Sequence, residues 1–370
     1  MILVNNPGSW NHIYPPLDHA EWHGLTPTDL VFPFFLFAIG IAFSFVMPKY
    51  EANSGLFWKK IIKRSLLIFL IGLFLQWYPF VRWNDGYLVF REWVDSKNPE
   101  NGVRILGVLQ RIALCYFFGS IIIYYLKPRR AFYVGLILLL LYWFLCLLGN
   151  PPDPFSRMGW FGTDIDKKIL HIPHMYKGEG YAFDPEGIMS TISAIVEVIF
   201  GYLIGDYIQK KGKNFEMISG LFVAGVAMIL TGFCWDMVFP INKKIWTSSY
   251  TIYTSGLATI TIATMIYLIE FKNLKGWLSK FFDVFGKNAL FVFALSSFLP
   301  RTLALIRIPD HLNNEGKMVY ISPWSWLYQK VLIHVPGDPR IGSLLYAICV
   351  ITFMWAICYW MDKKRVYIKV

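Results

Sequence analysis

Apolar residues along this chain gather into long runs, at roughly 28–47, 61–78, 105–126, 131–149, 187–208, 216–239, 247–269, 284–303 and 341–361. Each run approaches or exceeds the ~20 residues that an α-helix needs to cross the hydrocarbon core of a bilayer. Helices are the open structures that satisfy every backbone polar group in lipid. The two-residue alternation of an outer-membrane barrel is absent. The pattern therefore predicts an all-α polytopic membrane protein with nine complete spans.

Composition sharpens this picture. The chain is 56% hydrophobic and 16% charged, against about 25% charged in a soluble domain. The segments between runs fall into two alternating sets. One is short and basic: Lys49, Lys59, Lys60, Lys63 and Arg64; Lys127, Arg129 and Arg130; Lys210, Lys211 and Lys213; Lys272, Lys275 and Lys280; Lys363, Lys364, Arg365 and Lys369. The other, at 79–104, 150–186, 240–246 and 304–340, is mostly longer and nearly charge-balanced. The positive-inside rule puts the basic set in the cytoplasm. The net charge of +11 is then a topology signal, and no nucleic acid is needed to explain it.

This orientation places residues 5–27 outside and requires one crossing before them. Met1-Ile2-Leu3-Val4 is too short to span. The expectation is about ten transmembrane helices, the first truncated at its N-terminus, in one transmembrane domain over 1–370. No secretory signal peptide is evident. Cys115, Cys146, Cys234, Cys349 and Cys358 all fall in apolar runs and read as small buried apolar residues. His171 and His174 make a weak metal pair, and no metal is expected.

Candidate chemistry concentrates at the outer ends of the runs. Residues 17–40 carry His19, Trp22, His23, Asp18, Glu21 and Asp29 straight into a hydrophobic segment. Titratable groups at the mouth of a membrane helix are a functional-site hypothesis by default. Arg111 lies about two turns inside its span, Asp184 and Glu186 stand above a helix start, and Asp236, Lys243, Trp246, Ser248 and Ser249 surround another outer turn. Such convergence suggests a cavity open to the outer face. Each residue also has a plain structural reading. Arg111 is as readily an ion-pair partner of Asp29. Asp184 and Glu186 suit a helix N-terminus, Ser248 and Ser249 suit helix starts or packing, and Trp22 suits an interfacial anchor. Asp283 and Lys287 suit an i,i+4 pair, and Glu197 suits a hydrogen bond to a neighbouring helix. The plain reading is weakest for His19, which shares one membrane face with Asn5, Asn6, Trp22 and Asp29.

The segment His19-Ala-Glu-Trp-His-Gly-Leu-Thr26 followed by Asp29-Leu-Val-Phe-Pro33 resembles the signature of the heparan-α-glucosaminide N-acetyltransferase family, and the chain looks like a bacterial member. The resemblance continues in order through Val4-Asn5, Leu109-Gln-Arg-Ile-Ala113, Asp184-Pro-Glu-Gly187, Asn242-Lys-Lys-Ile-Trp-Thr-Ser-Ser-Tyr250 and Gly286-Lys-Asn-Ala-Leu290. It departs in lacking the family's opening Ser-x-Asp-x-x-Arg-Gly block and the luminal N-terminal domain of the lysosomal enzyme. The resemblance implies transfer of acetyl from cytoplasmic acetyl-CoA to an amino-sugar or glycan acceptor outside. It implies His19 as the active-site histidine and Asn5 as a functional asparagine. Trp22, Asp29, Arg111, Asp184, Glu186, Lys243, Trp246, Ser248 and Ser249 are the candidate acceptor-binding residues. Lys60, Arg64, Lys287 and Asn288 are the candidates to hold the phosphates of the donor.

The chemistry suits these residue types. An imidazole titrates near neutral pH and makes a competent general base toward an amine, or carries the acetyl group itself. A neutral amide such as that of Asn5 stabilises the oxyanion of a tetrahedral intermediate. The expected setting is the bacterial cytoplasmic (inner) membrane, with acetyl-CoA, the acceptor and the bilayer as partners and a homodimer allowed. Two alternatives stay open: an acyltransferase acting on a glycan hydroxyl, and a proton-coupled transporter of a small solute using Glu197, Asp29 and Arg111. Against the transporter, paired halves with interrupted helices are not evident.

Overall fold

The computed structural model describes residues 1–50, 53–84, 86–314 and 316–368. The chain divides into two compact units. One comprises residues 1–19, 74–93 and 275–370; the other comprises residues 20–73 and 94–274.

The second unit is a helical bundle built from α2 (Val31–Val46), most of α3 (Ser54–Trp77), α4 (Val108–Leu147), the short α5 (Gly162–Leu170), α6 (Thr191–Lys211), α7 (Phe215–Asp236) and α8 (Ser248–Ile266). The central helix is α6, of whose most apolar window 72% is buried, against 28% for α4 and α7. The outward faces of α4 and α7 present Leu140, Phe144, Val223, Leu230 and Phe233, as helices facing acyl chains do. Lipid offers no hydrophobic drive between helices, so close approach of small residues does the packing. A Cβ on Gly40 of α2 would overlap the Val198 carbonyl of α6, and one on Gly201 of α6 would overlap the Phe37 carbonyl of α2. The helices stop where their sequences dictate. Gly212, at φ 68°, caps α6 behind Lys210 and Lys211. Asn214 opens α7 by accepting a hydrogen bond from the Met217 N–H at 2.7 Å.

The first unit contains α1 (Ile2–Asn5), two antiparallel hairpins, α9 (Trp277–Lys287), α10 (Ala289–Leu303), α11 (Pro323–Lys330) and α12 (Pro339–Lys363). The hairpins are β1 (Val81–Asn84) with β2 (Tyr87–Phe90), in register Val81 to Phe90, and β3 (Ile308–Leu312) with β4 (Met318–Ile321), in register Ile308 to Ile321. Ile2 of α1 packs on the cluster formed by Val284, Val292, Val350, Met354 and Cys358.

Among the described residues six helices are long and apolar enough to cross a membrane, or seven if one bent pair counts as a span. The chain is a multi-pass membrane protein; the expected ten spans are not confirmed by this count, and three features account for the difference. The runs 105–126 and 131–149 form α4, two helices joined end to end across a break at Lys127, whose φ of 59° and ψ of 171° are not helical, so they count as one in that number although each half is of span length. The helix α3 carries Lys59, Lys60, Lys63 and Arg64, too much charge for an ordinary span. The run 284–303 breaks at Asn288, where α9 and α10 meet at 77°. The cysteine expectation also needs correction: Cys115, Cys146 and Cys358 are buried, but Cys234 and Cys349 are exposed on the helix surface.

Candidate functional site

In the second unit, the N-terminal ends of α2, α4, α6 and α8 come together, and polar residues from each meet there. Four aligned helix N-termini make an electropositive end, and buried carboxylates answer it. Asp29 sits in a capping box with Thr26 just before α2. One oxygen of its buried carboxylate takes the Ala20 and Thr26 N–H groups, each at 3.1 Å. The other pairs with Lys243 Nζ at 3.1 Å. The Tyr250 hydroxyl of α8 donates to the Asp29 carbonyl at 2.7 Å. Burial draws the Lys243 ammonium below its ordinary range, against the opposing pull of Asp29.

Asp29 therefore pairs with Lys243, and the alternative Asp29–Arg111 pair is not formed. Arg111, fully buried, instead donates through Nη2 to the Gly187 carbonyl at 2.9 Å and to the Ser190 hydroxyl. Its guanidinium lies over the Trp246 ring at 5.1 Å. Its Nε and Nη1 are buried without a hydrogen-bond partner. The N–H of the same peptide unit, that of Ile188, donates to Asp166 Oδ1 at 2.9 Å. Arg111 and Asp166 thus grip the two poles of the Gly187–Ile188 peptide. Burial raises the Asp166 carboxyl to about 7, with Asp184 adding to the rise and the Ile188 N–H and Arg111 opposing it.

Asp184 and Glu186 converge on Arg104. Its Nε and Nη2 reach the Asp184 oxygens at 3.1 and 2.6 Å, and Nη2 also bonds Glu186. Burial raises the Asp184 carboxyl, although Arg104 opposes the rise. For Glu186 burial acts in the same direction, but Arg104 and Arg111 outweigh it and hold this carboxyl below its usual range.

Trp246 has φ 50°, a conformation rare for a bulky residue and one that its surroundings must enforce. The turn before it is held by its own side chains. Asn242 Oδ1 accepts from the Ile245 N–H at 3.1 Å, and Thr247 Oγ1 accepts from the Asn242 N–H at 3.0 Å. Trp246 then stands edge-on to Phe32 and Tyr250. Ser248 and Ser249 donate to the Leu139 and Phe239 carbonyls at 2.7 and 2.5 Å, which ties α8 to its neighbours. Trp22 Nε1 donates to the Phe155 carbonyl at 2.9 Å, with Arg157 over its ring at 5.4 Å. His23 approaches Asn242 Nδ2 at 3.4 Å. Burial lowers its pKa, while Asp153 and Asp236 act the other way. Deeper in α6, Glu197 accepts the Ser255 hydroxyl at 3.0 Å.

His19 and Asn5 belong to the first unit. Asn5 ends α1 and is exposed; His19 is half-buried on irregular backbone, its N–H donating to Asp18 Oδ1 at 2.8 Å. Among the donor-phosphate candidates, Arg64 lies over the Tyr116 ring at 5.0 Å and Lys60 is exposed. Lys287 pairs with Asp283 at 2.6 Å, its i,i+4 neighbour, and with Asp362 at 3.2 Å. Asn288 is buried and fastens the C-terminal segment through the Val366 carbonyl and the Ile368 N–H.

Sequence reasoning missed Arg104 and Asp166. The signal for Arg104 was the pair Asp184 and Glu186, which when buried requires a cation. Asp166 gave no local signal. Its partner is a backbone N–H of α6's leading turn, not a spaced side chain.

The fold and this charged helix-end cluster define a polytopic membrane protein with a polar centre at one end of its bundle. The family model described as "Heparan-alpha-glucosaminide N-acetyltransferase, catalytic" matches residues 12–163. The heparan-alpha-glucosaminide N-acetyltransferases of Homo sapiens and Mus musculus are each 26% identical to this chain, over 351 and 349 residues. Either alignment takes in 79% of the chain and 50% of the relative, so the chain spans about half the length of the curated relatives it matches. Over these residues the chain is similar to the heparan-α-glucosaminide N-acetyltransferase family.

Proposed function

We propose that this protein is a membrane-embedded acyltransferase that moves acetyl from acetyl-CoA to an amino-sugar or glycan acceptor. The observation that carries the reading is the family match over 12–163, which contains His19, Trp22, Asp29 and Arg111. The amine nitrogen attacks the thioester carbonyl, the C–S bond breaks, and CoA leaves as the thiol with the proton taken from the amine. His19 serves as the base that receives this proton; in the alternative two-step route its imidazole nitrogen attacks the thioester, CoA leaves as the thiol, and the amine then takes the acetyl group from the imidazole and gives up its proton. Asn5 supplies a neutral donor to the oxyanion. Within the second unit, the electropositive helix ends, with Arg111 and Lys243, favour an anionic group on an acceptor. Trp22, half-buried, offers ring surface to a sugar, and Trp246 carries Arg111 over its ring; Asp29, Asp184 and Glu186 set the positions of the cations beside them.

The sidedness of the reading follows from the basic turns. Acetyl-CoA approaches from the cytoplasmic face of a bacterial inner membrane, and the acceptor lies outside. Purified protein in sealed vesicles, with acetyl-CoA on one side and glucosamine on the other, tests both activity and direction. N-acetylglucosamine should accumulate on the glucosamine side without bulk mixing. Absence of any acetyl-CoA cleavage or exchange would favour a solute carrier.

A further inference from the structure

The basic turns of this protein are not alike. Lys210 pairs with Asp206 at 2.7 Å, Lys211 with Glu216, Lys213 with Glu270 at 3.8 Å, and Lys287 with two aspartates. The turn inside α4 differs. No Asp or Glu occurs in the sequence between Glu100 and Asp153. Neither Arg129 nor Arg130 forms an ion pair among the described residues, and both are exposed.

The geometry here is also built. Lys127 takes a positive-φ conformation that costs a non-glycine residue of order 1–3 kcal/mol, and Pro128 follows it. The break opens a cavity of about 630 Å³ lined by Tyr125, Leu126, Lys127, Arg129, Arg130 and Tyr133. Tyr125 is fixed by a hydrogen bond with Trp58 Nε1 at 3.1 Å. That contact brings the start of α3, with Lys59, Lys60 and Lys63, alongside. The break divides α4 into halves of about 30 Å each at 1.5 Å per residue, close to one bilayer core. The cavity therefore sits at headgroup depth, flanked by tyrosines of the kind that occupy the membrane interface.

We propose that this cavity is a binding site for the phosphate of an anionic phospholipid headgroup, with Arg129 and Arg130 as its principal ligands and Tyr125 and Tyr133 as its walls. Guanidinium groups grip phosphate oxygens in pairs. Basic pockets between membrane helices hold such headgroups. A bound lipid would supply to Arg129 and Arg130 the negative charge that Lys210, Lys211, Lys213 and Lys287 draw from neighbouring carboxylates. Charge alone would also suit the phosphates of CoA, but depth and the flanking aromatic residues favour a lipid.

Native mass spectrometry of the full chain in detergent, titrated with phosphatidylglycerol or phosphatidylcholine of matched acyl chains, tests this. Phosphatidylglycerol should bind more tightly by about tenfold or more, and Arg129→Gln with Arg130→Gln should weaken it roughly thirtyfold. Lys210→Gln with Lys211→Gln should change nothing. If the arginine variant fails to insert, the wild type still decides. Its preference should collapse in about 1 M NaCl, where the Debye length is about 3 Å, and neither inorganic phosphate nor CoA should displace the lipid. Equal retention of both lipids, an undiminished preference in the arginine variant, or displacement by CoA or phosphate would each overturn the proposal.

Discussion

The charged cluster of the second unit and the N-terminal segment of the first hold their candidate residues in opposite ways. In the second unit, Asp29, Arg111, Asp184 and Ser249 are buried and tied to named partners. In the first unit, Asn5 is exposed and His19 is half-buried, both on short or irregular backbone. The lesson is a division of labour. Removing a side chain from the charged cluster should damage the fold before it damages chemistry. Removing one from the first unit's N-terminal segment should do the reverse.

The largest stability effect should come from Arg104. Arg104→Ala leaves Asp184 and Glu186 facing each other with their shared cation gone, and breaking a buried pair in this way costs about 3–5 kcal/mol. A thermal unfolding scan in detergent should show a marked loss of Tm. An unchanged Tm would erase the contrast between the units.

A smaller, pH-dependent effect should follow Asp166→Asn. The Asp166 carboxyl is held near 7 in the folded protein, chiefly by burial, against an ordinary value of 3.8. The folded state therefore binds a proton that the unfolded state has already released between about pH 4 and 7, so this group makes the protein more stable as pH falls through that window. The Asn variant should flatten the dependence and lose little at pH 5. A pH–stability curve superimposable on wild type would contradict the assignment. His23→Ala should be the mildest change, because His23 is exposed, its contact with Asn242 is long at 3.4 Å, and its ring only meets Trp22 edge-on. Its Tm should move by no more than a degree or two, and a loss as large as that of Arg104→Ala would blur the comparison.

The contrast also shows what was legible in the chain. Each of the nine apolar runs coincides with helix, because a long, mostly apolar run leaves a membrane segment few alternatives. The gathering of Asp29, Arg111, Lys243 and Trp246 at one end of the bundle followed from alternation of the loops. Pairing was not legible. Asp29 chose Lys243 because the turn 242–247 projects it there, and Arg111 went to the carbonyl of Gly187, a backbone atom that no residue pattern advertises. The break at Lys127 could be anticipated from Pro128, which removes a donor and clashes with the preceding turn. The bend at Asn288 could not, since it depends on hydrogen bonds to Val366 and Ile368 some eighty residues later. The hairpins were hidden because their strands, of four or five residues each, are too short to show alternation.

The most direct test of the account is acetyl transfer by His19→Ala, measured on purified protein with acetyl-CoA and glucosamine beside an unfolding scan of the same sample. The account predicts wild-type Tm with turnover lowered at least about 10²–10⁴-fold, and lowered further if the imidazole carries the acetyl group. Wild-type turnover in His19→Ala, or loss of turnover in His23→Ala alone, would contradict it.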